Sequence, residues 1–345
     1  MRLPATLAIL AAAGCSYTPS EPPLPAATAT VMARGETVPV GTANADAADD
    51  PAIWRNPRDP RASLIVATDK KAGLYVYGLD GRVRHFAPVG RLNNVDLIDR
   101  GRDGILVVGS DRNDLANAKL QLFRLDPATG SLTSLGAVTG GTGEVYGVCL
   151  WNGRDGLSAY SVLKEGAVYQ VRIDLSGPAP TGTIVRTLRI ATQPEGCVVD
   201  PRNGTLYVGE EARGIWRFDA RADRPVTGTL VAAVDGAQLF ADVEGLALSP
   251  VGRSGGYLVA SSQGDNPYAL YSLPDMRPAG RFRVGAGQFG STEETDGIAL
   301  AGGSFGAPYG GGLLVVQDGQ NAPNAQNFKL VSWADVVAAM GLRRQ

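Results

Sequence analysis

Asp49-Asp50-Pro51-Ala52-Ile53-Trp54 is the first of six places where a polar or acidic cluster runs straight into a short apolar strand. The next are Asn93-Asn94-Val95-Asp96-Leu97-Ile98, Glu144-Val145-Tyr146-Gly147-Val148 and Pro194-Glu195-Gly196-Cys197-Val198. The last two are Val243-Glu244-Gly245-Leu246-Ala247 and Thr295-Asp296-Gly297-Ile298-Ala299. With Asp50, Asp96, Tyr146, Glu195, Glu244 and Asp296 as markers, the spacings are 46, 50, 49, 49 and 52. A near-constant period of this size is the mark of a repeat architecture.

Each copy continues in the same way. A second apolar run ends in another polar cluster, as in Leu64-Ile65-Val66-Ala67 before Thr68-Asp69-Lys70-Lys71, or Leu206-Tyr207-Val208 before Glu210-Glu211. A third carries alternating aromatics, as in Leu74-Tyr75-Val76-Tyr77 and Ile215-Trp216-Arg217-Phe218. Four short strands in a unit of about fifty residues make a propeller blade. Residues 46–345 supply 300 residues, enough for six. The 45 glycines have no collagen period and read as turns between strands. The expected fold is therefore an all-β, six-bladed β-propeller; a two-sheet sandwich would not explain a sixfold repeat. The segment 333–342 reads as weakly helical or irregular, with no evident role in closing the ring.

The N-terminus reads differently. Met1-Arg2, the apolar run 7–13 and Ala12-Ala13-Gly14-Cys15 resemble a bacterial lipoprotein signal, with Cys15 as the lipidated residue. The alternative is an ordinary secretory signal cut within residues 16–27. Either way the chain is expected to be exported, to the periplasm or outer membrane as a lipoprotein, or secreted. Residues 18–42 are rich in Pro, Ala and Thr. The expected organisation is a signal peptide over 1–15, a disordered linker over 16–43 and the propeller over 44–345. No later run is long and apolar enough for a transmembrane helix. Cys149 and Cys197 read equally as a disulfide or as two small buried hydrophobes.

Antiparallel pairing places the start of strand one and the end of strand two at the same edge of a blade. All the polar clusters should therefore meet at one mouth of the central channel. That rim is rich in carboxylates: Asp46, Asp49, Asp50, Asp96, Glu195, Glu210, Glu211, Asp242, Glu244, Glu293, Glu294 and Asp296. So many like charges repel unless a cation lies among them. Oxygen ligands without His or Cys, joined by Asn93, Asn94 and Gln263, favour Ca²⁺ over Mg²⁺. Lys70, Lys71, Arg112 and Lys164 sit at the ends of second strands and point to a polyanionic substrate such as a phosphate ester. Metal ions on its phosphate oxygens would activate a water for in-line attack.

Several chemistries are excluded. A single histidine, His85, leaves no histidine nucleophile, multi-histidine zinc site or Ser-His-Asp triad. Gly140-Gly141-Thr142-Gly143 lacks the Lys-Ser or Lys-Thr of a nucleotide loop. With 32 Lys+Arg against 34 Asp+Glu, the net charge of −2 gives no basis for nucleic-acid binding.

In their residues and order, these segments resemble the β-propeller phytases, calcium-dependent enzymes that remove phosphates from myo-inositol hexakisphosphate. The segments are Asp46-Ala47-Ala48-Asp49-Asp50-Pro51-Ala52-Ile53-Trp54, Thr68-Asp69-Lys70-Lys71-Ala72-Gly73-Leu74, Leu92-Asn93-Asn94-Val95-Asp96, Pro194-Glu195-Gly196, Asp242-Val243-Glu244-Gly245-Leu246, Ser261-Ser262-Gln263-Gly264 and Val316-Gln317-Asp318-Gly319. The resemblance implies several Ca²⁺ ions held by Asp49, Asn93, Glu195, Glu211, Asp242, Glu244 and Gln263. Asp50, with backbone oxygens near Pro51 and Val95, would hold a structural one. Asp46 and Asp296 are further ligand candidates, and Glu293 or Glu294 could replace an acid the family has upstream of Asp296. Lys70, Lys71, Arg112, Tyr146 and Lys164 would grip phosphates. The catalytic group would be Asp49, Glu195 and Glu244 with Lys70 and Arg112. The implied activity is that of a 3-phytase, working as a monomer on phytate or related inositol phosphates. The competing readings are a lactonase-like metal-dependent propeller hydrolase, which needs no Lys/Arg cluster, and a non-enzymatic binding propeller. Calcium binding is expected to stabilise the fold by mass action.

Overall fold

The first strand, β1 (Thr28–Glu36), does not belong to the blade that follows it in sequence. Four blades are built from consecutive strands. They are β2 (Ala48–Trp54), β3 (Leu64–Asp69), β4 (Gly73–Gly78) and β5 (Val83–Ala87); then β6 (Leu92–Asp99), β7 (Ile105–Asp111), β8 (Asn117–Leu125) and β9 (Leu132–Thr142). The third is β10 (Val145–Gly153), β11 (Gly156–Leu163), β12 (Ala167–Asp174) and β13 (Thr181–Arg189); the fourth is β14 (Pro194–Asp200), β15 (Thr205–Glu210), β16 (Gly214–Asp219) and β17 (Thr229–Ala233). The fifth has β18 (Val243–Val251), β19 (Gly255–Ser262), β20 (Tyr268–Ser272) and β21 (Arg277–Gly285), but the sixth has only β22 (Ile298–Ala301), β23 (Leu313–Asp318) and β24 (Asn327–Ser332) after it in sequence. β1 supplies the missing fourth strand. It runs antiparallel to β24 and parallel to β21, joining the last two blades into one eight-stranded sheet. The fold is the six-bladed propeller the repeat predicts.

This computed structural model describes residue 26 and residues 28–342. The signal-peptide reading of 1–15, with Cys15, lies outside the described residues. The linker reading of 16–43 does not survive where it can be examined. Val31 and Ala33 of β1 are buried, and the following residues are tied down. Thr42 donates its N–H and hydroxyl to Asp69, Val40 N–H bonds the Gln326 carbonyl, and Gly41 N–H bonds the Tyr75 hydroxyl. The physical reason is that β21 and β24 would otherwise be two unpaired sheet edges. The C-terminal segment also has a role: α1 (Trp333–Ala339) buries Trp333, Val336 and Val337 against the fifth and sixth blades.

The apolar residues divide by junction. At least one cluster lies between each neighbouring pair of blades, for example Val66, Val76, Val107 and Phe123 between the first and second. Ile65, Tyr77, Val315 and Phe328 close the ring between the first and sixth. Each sheet thus buries both faces, which is why its strands read as near-continuous apolar runs. Cys149 and Cys197, on the inner strands β10 and β14, form a disulfide across the third and fourth blades. The inner strands line a central cavity of about 360 Å³ that Asp50 and Asp96 enter. Among the described residues, no helix is long and apolar enough to cross a membrane.

Candidate active site

The inner strand of each of the first five blades starts with a β-bulge. The register shifts between Ala48 and Pro51, Leu92 and Val95, Val145 and Val148, Pro194 and Cys197, and Val243 and Leu246. The residues left out of the ladder are Asp49-Asp50, Asn93-Asn94, Tyr146-Gly147, Glu195-Gly196 and Glu244-Gly245. A bulge re-aims its side chains, and here it aims one per blade into the mouth. The glycine that follows has a steric reason. A Cβ on Gly147 would stand 1.9 Å from the Glu195 carbonyl, and one on Gly196 2.1 Å from that of Glu244. A Cβ on Gly297 would meet Asp50 at 2.3 Å. From the third blade to the sixth, this glycine therefore lets the next blade's inner strand approach. Gly245 N–H bonds the Asp296 carbonyl at 2.8 Å and Gly297 N–H bonds that of Asp49 at 3.0 Å, continuing the ring.

Acids gather on one side of this ring. Glu195, Glu211 and Glu244 each present a carboxylate oxygen within 4.8 Å of the others. Asn93 Nδ2 donates to Glu195 at 2.8 Å, leaving Asn93 Oδ1 buried without a hydrogen-bond donor. Glu244 Oε2 is likewise buried and unpartnered. Buried acceptors without donors are costly unless a cation meets them. Oxygen donors alone, two of them orphaned, fit a hard divalent ion. Gln193 holds Glu211, and Gln263 Nε2 donates to Asp296 at 2.5 Å. Asp242 stands exposed at the rim, and its charge pushes Glu211 upward after burial has done so.

Cations take the other side. Arg112, buried, lies over the Tyr146 ring at 4.9 Å with Nε unpartnered, and its Nη1 stands 3.6 Å from Glu144. Lys164 Nζ donates to the Tyr146 hydroxyl at 3.2 Å. Tyr146 thus spaces two positive charges, each favoured by its ring. Lys70 bridges to the acids, bonding Asp46 at 2.8 Å, Asp49 at 2.8 Å and Asp296 at 3.0 Å. Lys71 is exposed.

Not every rim candidate joins this group. Asp50 accepts from Val95 N–H at 3.0 Å, and Asp96 from Leu150 N–H at 2.8 Å. Both brace the next blade from the channel below the mouth. Glu210 turns to Thr192 and Trp216. Glu293 and Glu294 are exposed, and Gln320 donates to Glu294 at 2.6 Å. Sequence reading missed the two glutamines that hold the seam. Gln317 receives Asp296 N–H and donates to the Ala48 carbonyl; Gln326 Oε1 receives both Ala47 and Ala48 N–H groups. Gln317 stands at the end of β23, inside the segment Val316-Gln317-Asp318-Gly319, and Gln326 directly before β24; nothing in their residue type marked them as seam residues.

A family model described as Phytase matches residues 3–344. The chain belongs to the phytase family. A 3-phytase of Bacillus subtilis (strain 168) is 37% identical over 328 residues, spanning 90% of this chain and 85% of the relative. Among solved structures, a chain of a mitotic checkpoint complex aligns at 12% identity with a TM-score of 0.49, covering 91% of this chain and 88% of that one. A protein of unknown function from Bacteroides caccae aligns at 15% identity with a TM-score of 0.46, covering 68% and 81%.

The electrostatics of this phytase mouth carry a pH signature. Burial, then the charge of Asp49, pushes Asp296 up to about 7. Burial pushes Asp96 to about 6 against its backbone hydrogen bonds, and raises Asp49, Glu195 and Glu244 as well. An acid whose pKa is raised by folding binds more protons folded than unfolded between its two values. Stability therefore falls as pH rises through that window, from the ordinary carboxylate value of 3.8 to about 7 for Asp296. Chelator-treated protein should melt at lower temperature at pH 7.5 than at pH 5 (~7.5 and ~5, either side of the upper limit of that window). A flat or rising profile would contradict these assignments.

Proposed function

We propose that this protein is a phosphomonoester hydrolase that removes phosphates from phytate, in the manner of the related 3-phytase, with calcium in the acidic half of its mouth. The observation that carries the reading is the division of one rim. The oxygen ligands Glu195, Glu211, Glu244 and Asn93 face the cations Arg112 and Lys164 across a single opening. A lactone substrate gives no use for that second half.

Asp49, Glu195, Glu211, Glu244 and Asn93 would hold the metal, with Asp242, Gln263 and Asp296 at its edge. A divalent ion held there supplies charge to the phosphoryl oxygens and activates a water for in-line attack. Arg112 offers a planar fork suited to phosphate, and Lys164 a mobile point charge. Tyr146 holds the two apart so that one phosphate can lie between them. Asp50 and Asp96 would act by holding inner strands in register, Asp50 also as a ligand in the channel. A polyanion such as an inositol phosphate uses both halves at once, the scissile group on the metal side and another against the cations. We further propose that the chain acts as an exported monomer, with Cys15 as a lipid anchor.

The test is release of inorganic phosphate from phytate by the purified chain, with added calcium and after chelation. Calcium-dependent release is expected. Absence of release at every calcium level, with the fold intact, overturns the reading, and lactones would then be tried.

A further inference from the structure

The Lys70 side chain is almost wholly buried, yet its ammonium reaches three carboxylates from three parts of the chain. Asp46 lies in the segment between β1 and β2, Asp49 in the bulge of the first blade, and Asp296 just before the sixth blade's inner strand. The ammonium hydrogen-bonds Asp296 and stands at ion-pair distance from Asp46 and Asp49, so one charge serves three carboxylates. It therefore sits among the acids as a cation would, at the seam where the ring closes. We propose that Lys70 is the resident counter-ion of this mouth, the group that a metal ion must displace from Asp46, Asp49 and Asp296. The proposal rests on the reading that the mouth takes a divalent ion.

The surroundings support an occupying role. Glu195, Glu211 and Glu244 bring carboxylate oxygens within 4.8 Å of one another in the same mouth, so the acids repel one another without a cation. The Lys70 ammonium stands 2.8, 2.8 and 3.0 Å from Asp46, Asp49 and Asp296, so it occupies the centre of this carboxylate group. A tethered ammonium competes at high effective concentration. Sodium and potassium, single charges free in solution, compete poorly with it; a divalent ion gains twice the attraction from each carboxylate. Lys70 thus filters for divalent ions. Once displaced, the same ammonium is free to meet a phosphate bound in the mouth. The lysine that the family resemblance gives to substrate would be available only after metal has arrived.

The experiment is calorimetric titration of calcium into chelator-treated wild type, Lys70→Met and Lys70→Gln, with the exposed Arg58→Gln as the control for loss of one positive charge. Removing the competing charge should tighten calcium binding about 10-fold in both Lys70 variants, and in neither case should Arg58→Gln do so. Sodium chloride should raise the melting temperature of the metal-free Lys70 variants more than that of wild type. Equal or weaker calcium binding by folded Lys70 variants overturns the proposal. So does failure of both variants to fold with calcium present, because a metal that replaces the ammonium should restore the seam. Wild type that binds no calcium would instead remove the underlying metal reading.

Discussion

Glu195→Gln is expected to cut phosphate release from phytate about 10³-fold, the size of effect seen when one preorganised charged or polar group is lost from an active site. The same substitution should leave the chelator-treated chain at least as stable as wild type. Glu195 is buried, and its carboxylate is pushed toward the neutral form first by burial and then by Asp49 and Asp296. A glutamine of the same shape keeps an oxygen for Asn93 Nδ2, 2.8 Å away in the native site, and removes the repulsion. Stability and activity should therefore move in opposite directions, which is the signature of a residue kept for function against its own cost. With calcium added, the order reverses: wild type gains more in melting temperature than the variant, because binding to the native state alone shifts unfolding by mass action. Glu244→Gln, whose Oε2 has no donor, should behave alike. Melting curves with calcium and with chelator, beside initial rates, check all of this. A variant that loses activity because it is unfolded, or keeps activity, contradicts the assignment.

The second large effect concerns β1. A chain beginning at residue 37 should be far less stable than one beginning at residue 26, by ten degrees or more (~10 °C) in melting temperature if it folds at all. Its loss bares the edges of β21 and β24 and removes Val31 and Ala33 from the core they share with Phe282 and Trp333. It also strips Glu36 from Lys329, an ammonium 1% exposed whose shortest ion pair, 2.6 Å, is to that carboxylate. Only Lys329 of this pair is buried, Glu36 being 36% exposed, so its loss costs less than the about 3–5 kcal/mol of a fully buried pair. Asp318 at 3.2 Å remains as a second partner, which reduces the loss further. The Arg34–Asp335 pair is half exposed and adds little. Glu36→Gln isolates the ion-pair part without disturbing the strand. If the two chain lengths melt together, β1 is not the closure of the ring.

The two predictions mark how much was legible in the chain beforehand. The blades were, because the inner strands of the last four carry a glycine where the next one presses in, written locally as Glu195-Gly196 or Glu244-Gly245. β1 was not: its partners lie some three hundred residues away, for example Glu36 with Lys329, and only Val31 and Ala33 show the alternation of a strand. Burial of a lone edge strand is decided by the sheet it completes, so residues 28–36 read as linker. In the site, the chemistry of the rim followed from its residue types, but the wiring did not. Asp49 and Asp50 are neighbours of one type, yet the bulge sends one to Lys70 and the other to Val95 N–H in the channel. Asp96 reads as one of the rim carboxylates and braces Leu150 from the channel instead. Such choices depend on where the adjacent blade stands, which a period of about fifty residues does not reveal.

The most direct test of the account is a crystal structure of the chain grown with calcium and inorganic phosphate, with anomalous data to place the metal. The account predicts an anomalous peak bounded by Glu195, Glu211 and Glu244, Lys70 withdrawn from at least one of its three carboxylates, and phosphate between that peak and Arg112 with Lys164. Calcium found only elsewhere, with Lys70 still bound to Asp46, Asp49 and Asp296, would contradict it.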